Sequence, residues 1–389
     1  MSHIICSKCM EVHQSETDKC PECGSGPPYT YNFKNSDEYL KKEAPKVLKE
    51  RKEAGLQGLV NGLEYIIINT EPTTQKKAVL ELLQYTGLEC ANVFEDDSFV
   101  TAVLQGKQPP NSPDIVVQSR KNGNPFMKYN VAPKTTHVPN TRLETFVFET
   151  TDIEKYVSIQ KLRGVTFLND PVHTENYSFV QTIPSSYTGN SIGFIEWNNN
   201  REYTSENSKP INWDIEKPDK NYLQNIYGLD HTATRVKAKN RDAAIIEFLE
   251  LTNYHFDFAI YVKVFNSITN VARLSDTDFA MVFTSGISPY ISDEESGPTE
   301  KFIHNYNVRV HHMAFHTDNI EDTVASIKED GMDFLIELVG SPDEGLKQCF
   351  TRSSENTLLV NEYIHRYGDF DGFFTRSNVT KLTAATEKQ

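Results

Sequence analysis

Along this chain, apolar runs with strand character recur, each followed by a stretch with the spacing of an amphipathic helix. Leu63-Glu64-Tyr65-Ile66-Ile67-Ile68-Asn69-Thr70 leads into a helical segment over 76–85 and then Gly87. Leu143-Glu144-Thr145-Phe146-Val147-Phe148-Glu149-Thr150 does the same, with a helix over 153–162 and then Gly164. Leu229-Asp230-His231-Thr232-Ala233-Thr234 opens a third block with a helix over 242–251. Val310-His311-His312-Met313-Ala314-Phe315-His316-Thr317 opens a fourth, with a helix over 320–329 and then Gly331. Further alternating runs close the blocks, at 98–104, 114–118, 177–183, 192–197 and 279–283. Four strand–helix–strands units are an internal repeat, and they predict an α+β fold of four tandem βαβββ units in two halves. The polar stretch 198–220 is the expected linker between the halves. Before the first unit, the Lys/Glu-rich stretch 37–55 carries Leu40, Val47 and Leu48 and predicts a connecting helix.

Composition narrows the function classes. A chain of 389 residues exceeds one hydrophobic core. With 38% hydrophobic and 11% aromatic residues it can fill real cores. A net charge of −15 opposes binding to a phosphate backbone, so no nucleic acid is expected. No apolar run is long enough to span a membrane and no signal peptide is visible, which predicts a soluble, cytoplasmic protein with no membrane partner.

Four of the six cysteines lie in the first 23 residues as Cys6-x-x-Cys9 and Cys20-x-x-Cys23. Paired CxxC turns aim four thiolates at one tetrahedral ion, so a small structural zinc ribbon is expected over 1–30. Four thiolates close the coordination sphere, leaving this metal no catalytic position. Cys90 and Cys349 are isolated and give no disulfide framework.

Aligning the repeats locates a second metal site. His312 in the fourth unit corresponds to His231 in the third, Thr145 in the second and Tyr65 in the first. Leu359-Val360-Asn361-Glu362-Tyr363 adds a carboxylate on a further apolar run. Two imidazoles and one carboxylate leave up to three positions open on a divalent ion, as non-haem Fe(II) oxygenases require. The second unit ends in Glu196 at the place of Glu362 but lacks the histidines. A catalytic pair over 221–389 is therefore expected, with a non-catalytic pair over 61–200 and the helical connector over 31–60.

Tandem βαβββ units with ligands on their first and last strands resemble the vicinal oxygen chelate superfamily. Four units with metal only in the second pair resemble the 4-hydroxyphenylpyruvate dioxygenase family and its hydroxymandelate synthase branch. The family motif V-Q-H-I-A-L followed by T-x-D-I is matched by Val310-His311-His312-Met313-Ala314-Phe315 and Thr317-Asp318-Asn319-Ile320. Its D-H is matched by Asp230-His231, its Q-I-F-T by Gln348-Cys349-Phe350-Thr351, and its E-I-I-Q-R by Glu362-Tyr363-Ile364-His365-Arg366. The glycine- and phenylalanine-rich approach to the last helix is matched loosely by Gly372-Phe373-Phe374 through Asn378-Val379. The resemblance covers about 60–389 and implies an Fe(II)-dependent dioxygenase. Such an enzyme couples decarboxylation of a 2-oxo acid to oxygenation of the same molecule, as in aromatic amino acid catabolism. It implies His231, His312 and Glu362 as the iron ligands and catalytic centre, and a small 2-oxo acid and O₂ as partners. By the same resemblance Gln348 contacts the substrate's polar end, Phe350 and Phe373 wall its aromatic part, and Asn378 anchors the covering helix.

Several positions depart from the family. His311 stands where it has glutamine, Val379 replaces an aromatic residue, and Thr284-Ser285-Gly286-Ile287 replaces its N-E-P motif. Arg273 lies on a strand expected to face the cup, where it would meet a second substrate carboxylate or form a structural ion pair. His311 alternates away from His312 and is expected on the other face of its strand. The zinc ribbon is not part of the family pattern. Two other readings stay open: extradiol cleavage of a catechol in the same cup, or a non-catalytic metal-binding scaffold whose ribbon recruits a partner. The sequence leaves room for a homo-oligomer.

Overall fold

Alternation of apolar residues dictates the pairing of the strands. A computed structural model describes residues 4–6, 12–13, 19–20, 22–24, 34–106, 112–199, 201–370 and 372–389. The first strand and helix of each unit lie where periodicity puts them. They are Val60–Asn69 with Gln75–Tyr85, Arg142–Thr150 with Ile153–Leu162, Ile226–Arg235 with Arg241–Leu251, and Arg309–Thr317 with Ile320–Glu329. Within a unit the first strand pairs in parallel with the last, Ile226–Arg235 with Ala280–Gly286 and Arg309–Thr317 with Val360–Arg366. Units join in pairs through their first strands, which run antiparallel. The described residues form a nine-stranded sheet in the N-terminal half and an eight-stranded sheet in the C-terminal half.

Successive side chains of a strand take opposite faces. One face of each sheet feeds a shared core: Ile66, Ile68 and Phe148 from the first meet Phe283, Phe315 and Tyr363 from the second. Each such side chain contributes roughly 1.5–3 kcal/mol by leaving water. Polar contacts fix the seam. Tyr156 Oη donates to the Leu251 carbonyl at 2.7 Å, and Tyr363 Oη to that of Tyr85 at 2.8 Å.

The other face differs between the halves. In the N-terminal sheet it is filled by Tyr65, Ile67, Val116, Val147 and Tyr203. Tyr203 belongs to the linker, which is packed against its own half: its hydroxyl donates to Asp114 at 2.7 Å. Lys209–Pro210, also in the linker, adds an edge strand to Leu88–Glu95. The connector helix Glu38–Glu53 docks on the C-terminal half. There Arg51 Nη1 donates to the carbonyls of Leu249, Thr252 and Tyr254 at 2.6, 2.6 and 2.7 Å. A helix the periodicity did not predict, Pro298–Tyr306, links the third and fourth units. No helix among the described residues is long and apolar enough to cross a membrane.

Candidate metal centre

His231, His312 and Glu362 meet because strand register gathers them around one alanine. Ala314 pairs with His231 on one side and with Glu362 on the other. His312 lies two residues before Ala314, hence on the same face, opposite Ala233. Two methyl groups at 233 and 314 leave room above the sheet for three larger side chains. Nε2 of His231 and Nε2 of His312 each lie 3.2 Å from Oε2 of Glu362. The ligand atoms of all three buried residues fall within 4.8 Å of one another.

Neighbouring groups hold these side chains. His231 Nδ1 meets Asp230 Oδ1 at 2.7 Å, and Asp230 accepts from Arg366 at 2.5 and 3.1 Å. Burial would raise the Asp230 carboxyl, but Arg366 and His231 outweigh it and hold it well below the usual carboxylate range. An Nδ1–H directed at Asp230 leaves the Nε2 lone pair facing the centre. That atom is buried with Glu362 Oε2 3.2 Å away and no other polar partner. An orphaned imidazole nitrogen, a second imidazole and a shared carboxylate oxygen are a donor set that fits a divalent ion. Burial would lower the His231 pKa, yet Glu362 and Asp230 raise it to about 9. A cation would occupy the place of that proton. Burial, His311 and His231 hold His312 neutral, well below the ordinary imidazole range.

The expected substrate contacts separate into two groups. Gln348 is buried and donates from Nε2 to Glu362 Oε1 at 2.5 Å, while its own Oε1 accepts from Asn378 Nδ2 at 3.1 Å. Asn378 therefore ties the covering helix Arg376–Ala385 to the Glu362 carboxylate through Gln348. Phe350 lines the cup with its ring 4.8 Å from that of His312. Phe373 does not line it: its ring packs behind His231 at 5.5 Å and lies under Arg366. Its neighbour Phe374, not singled out from the sequence, lines the cup instead, 5.1 Å from His231. Arg273, expected to face the cup, does not. It is ion-paired with Asp257 and Asp276 and opens on a cleft between the halves. The cup itself, capped by Val379 and Leu382 of the covering helix, has a cavity of about 50 Å³. At roughly 10–15 Å³ of such space for each water, that is room for several waters.

Two readings by position are corrected by register. The pairing shifts between Ala233↔His312 and Thr234↔Val310, so His311 is the extra residue of a bulge. A bulge lets both residues face one side, and His311 lines the cup beside His312 rather than pointing away. Its Nδ1 lies 2.8 Å from His312 Nδ1. In the second unit the register partner of Val147, which corresponds to Ala314, is Gly193. Gly193, not Glu196, is thus the counterpart of Glu362, and a Cβ there would lie 3.0 Å from Val147 and 3.1 Å from Phe179. Glu196 instead accepts the amide of Ile153 at the start of its helix, at 2.8 Å. Near the N-terminus, the sulfurs of Cys6, Cys20 and Cys23 lie within 4.8 Å of one another. Cys9, the fourth expected zinc ligand, lies outside the described residues.

Neither a family model nor a curated protein matches this chain. Solved structures do. A triple mutant of 4-hydroxymandelate synthase from Streptomyces coelicolor superposes with a TM-score of 0.61 at 15% identity, over 84% of this chain and 98% of that one. A xylose isomerase-like TIM barrel/4-hydroxyphenylpyruvate dioxygenase fusion protein gives 0.60 at 13% identity, over 89% of this chain. This chain spans 57% of the fusion's length. The fold is therefore α+β, four βαβββ units in two halves, and is shared with both of these structures.

Proposed function

We propose that the chain is an Fe(II)-dependent dioxygenase that decarboxylates a 2-oxo acid and oxygenates the remainder of the same molecule. The observation that carries this reading is the two-histidine, one-carboxylate face at the floor of a closed cup, in a fold shared with a hydroxymandelate synthase. His231, His312 and Glu362 would hold the ion, which when bound supplies a site for O₂ beside a chelating keto acid. Asp230 fixes the His231 ring, and Gln348 fixes the Glu362 carboxylate. Phe350, Phe374 and the helix Arg376–Ala385 exclude water above them. By this reading the three sulfurs near the N-terminus belong to a separate structural zinc ribbon.

The test is anaerobic Fe(II) titration with a panel of 2-oxo acids, followed by oxygen-electrode traces. A charge-transfer band, and O₂ uptake equal to CO₂ release without added 2-oxoglutarate, are the expected results. Silence across the panel, with ring-opened product from a catechol, would replace this reading with extradiol cleavage.

A further inference from the structure

The cup holds a cation that the iron centre does not use. Arg235 lies four residues beyond His231 on the same strand, hence on the same face, and it lines the cavity above the ligands. Only 4% of it is exposed. Burying a guanidinium is costly unless its donors are paired, and the other buried arginines show how this chain meets that cost. Arg241 has Asp37 at 2.5 Å, Asp242 at 3.2 Å and Asn270 at 2.8 Å. Arg51 has three carbonyls within 2.7 Å. Arg235 has the Pro298 carbonyl at 3.4 Å and the face of Phe302 at 4.4 Å, and no carboxylate among the described residues pairs with it. Arg309 is also short of partners, but its Nε and Nη1 are sealed in the interior away from the cup.

The wall beside Arg235 is made of hydroxyls. Thr284 is its register partner on the adjacent parallel strand, and Thr269 is the partner of Thr284 on the next. The Thr284 hydroxyl is buried with no hydrogen-bond partner. Ser267 and Thr299, 3.0 Å apart, complete this end of the cavity. The only carboxylate lining the cup among the described residues is Glu362, which belongs to the ion site. A guanidinium with spare donors and an unused hydroxyl in the wall of the cup offer what an anion needs, because an arginine fork matches a carboxylate with two parallel hydrogen bonds.

We propose that Arg235, with Thr284, binds a second anionic group on the substrate, so that the enzyme acts on a 2-oxo dicarboxylic acid rather than an aromatic 2-oxo acid. This rests on the keto-acid reading of the cup and adds the chemistry of the substrate's other end. The first carboxylate and the keto oxygen face the ion, and the second carboxylate reaches Arg235. An aromatic tail would leave the guanidinium buried and unpaired, which the site penalises.

The experiment measures affinity, not turnover. The full chain is loaded with Fe(II) under nitrogen and titrated by calorimetry with oxaloacetate, 2-oxoglutarate and 2-oxoadipate. Each diacid is paired with the monoacid of equal carbon number: 2-oxobutyrate, 2-oxopentanoate and 2-oxohexanoate. At the best-fitting length the diacid should bind at least tenfold tighter than its monoacid. Arg235→Gln should bring that ratio to about one, and Arg235→Lys should restore part of it. Should Arg235→Gln fail to fold, Thr284→Val removes the hydroxyl without touching the charge and should lower the ratio severalfold. Tight monoacid binding with a ratio near one in the wild type, or a ratio that survives in these variants, overturns the diacid assignment and leaves the keto-acid reading standing. Absence of binding by every 2-oxo acid overturns both.

Discussion

Gln348 donates from Nε2 to Oε1 of Glu362 at 2.5 Å, so the single carboxylate of the centre is set by a residue of the neighbouring strand. The other carboxylate oxygen, Oε2, faces both imidazoles. An ion held by Glu362 would therefore feel Gln348 only through that carboxylate. Gln348→Ala should weaken Fe(II) affinity by about ten- to a hundredfold, the usual effect of losing a group that orients a ligand. Chelator competition reads the affinity. Full retention, with only keto-acid binding impaired, would return Gln348 to a direct substrate contact.

The paired histidines should separate cleanly. His312 presents Nε2 to Glu362, while the His311 ring sits with Nδ1 against His312 and Nε2 2.8 Å from Gln389 Oε1. His231→Ala, His312→Ala and Glu362→Ala should each remove the iron while the fold survives. His311→Ala should keep one iron per chain, with affinity lowered by about tenfold because the His312 ring loses its brace. Elemental analysis after desalting decides this, and the reverse pattern in the two histidine variants would exchange their roles.

The parts of the fold that were legible are those set by residues within one strand or helix. Met313 and Phe315 alternate with His312 and Ala314, so the two faces of that strand could be read directly. The helix Ile320–Glu329 likewise follows from its own spacing. What escaped depends on neighbours. The orientation of His311 comes from a bulge that exists only in the pairing with Ala233 and Thr234. The mismatch of Glu196 with Glu362 appears only when Gly193 is seen opposite Val147. Phe373 and Phe374 lie between elements, where no period says which turns inward. Arg235 did carry a signal, a charge at an inward position of an apolar strand, but that no carboxylate among the described residues pairs with it is a property of the folded cup.

Glu300 makes the stability of the metal-free chain depend on pH. Its carboxylate is buried and accepts the amides of Ala238 at 2.9 Å and Gly286 at 3.0 Å, yet burial outweighs those bonds and pushes its pKa up to about 7. Between about 4.5, the ordinary value, and 7 the native state binds more protons than the unfolded chain. Stability from this group is thus complete at low pH and is lost as pH rises through that window, by about 3 kcal/mol in all. Glu300→Gln keeps an acceptor oxygen and removes the charge. It should be more stable than wild type at pH 8 and near it at pH 4.5. Urea midpoints at both pH values test this, and equal shifts at the two would show that Glu300 does not titrate in this range.

The N-terminal cysteines provide a prediction independent of the iron. The sulfurs of Cys6 and Cys23 lie 3.7 Å apart, a separation normal for two thiolates on one tetrahedral ion and too long for a disulfide. Cys20 joins them within 4.8 Å. A segment this short buries too little apolar surface to hold three sulfurs together without a metal. Purified protein should therefore carry zinc in addition to any iron. Removing residues 1–30, or replacing Cys20 with Ser, should abolish the zinc and leave the iron. The body should melt at nearly the same temperature after truncation, because the connector is anchored on the C-terminal half by Arg51 and Asp37. Zinc content unchanged by the truncation would place that ion elsewhere and leave these cysteines without a metal role.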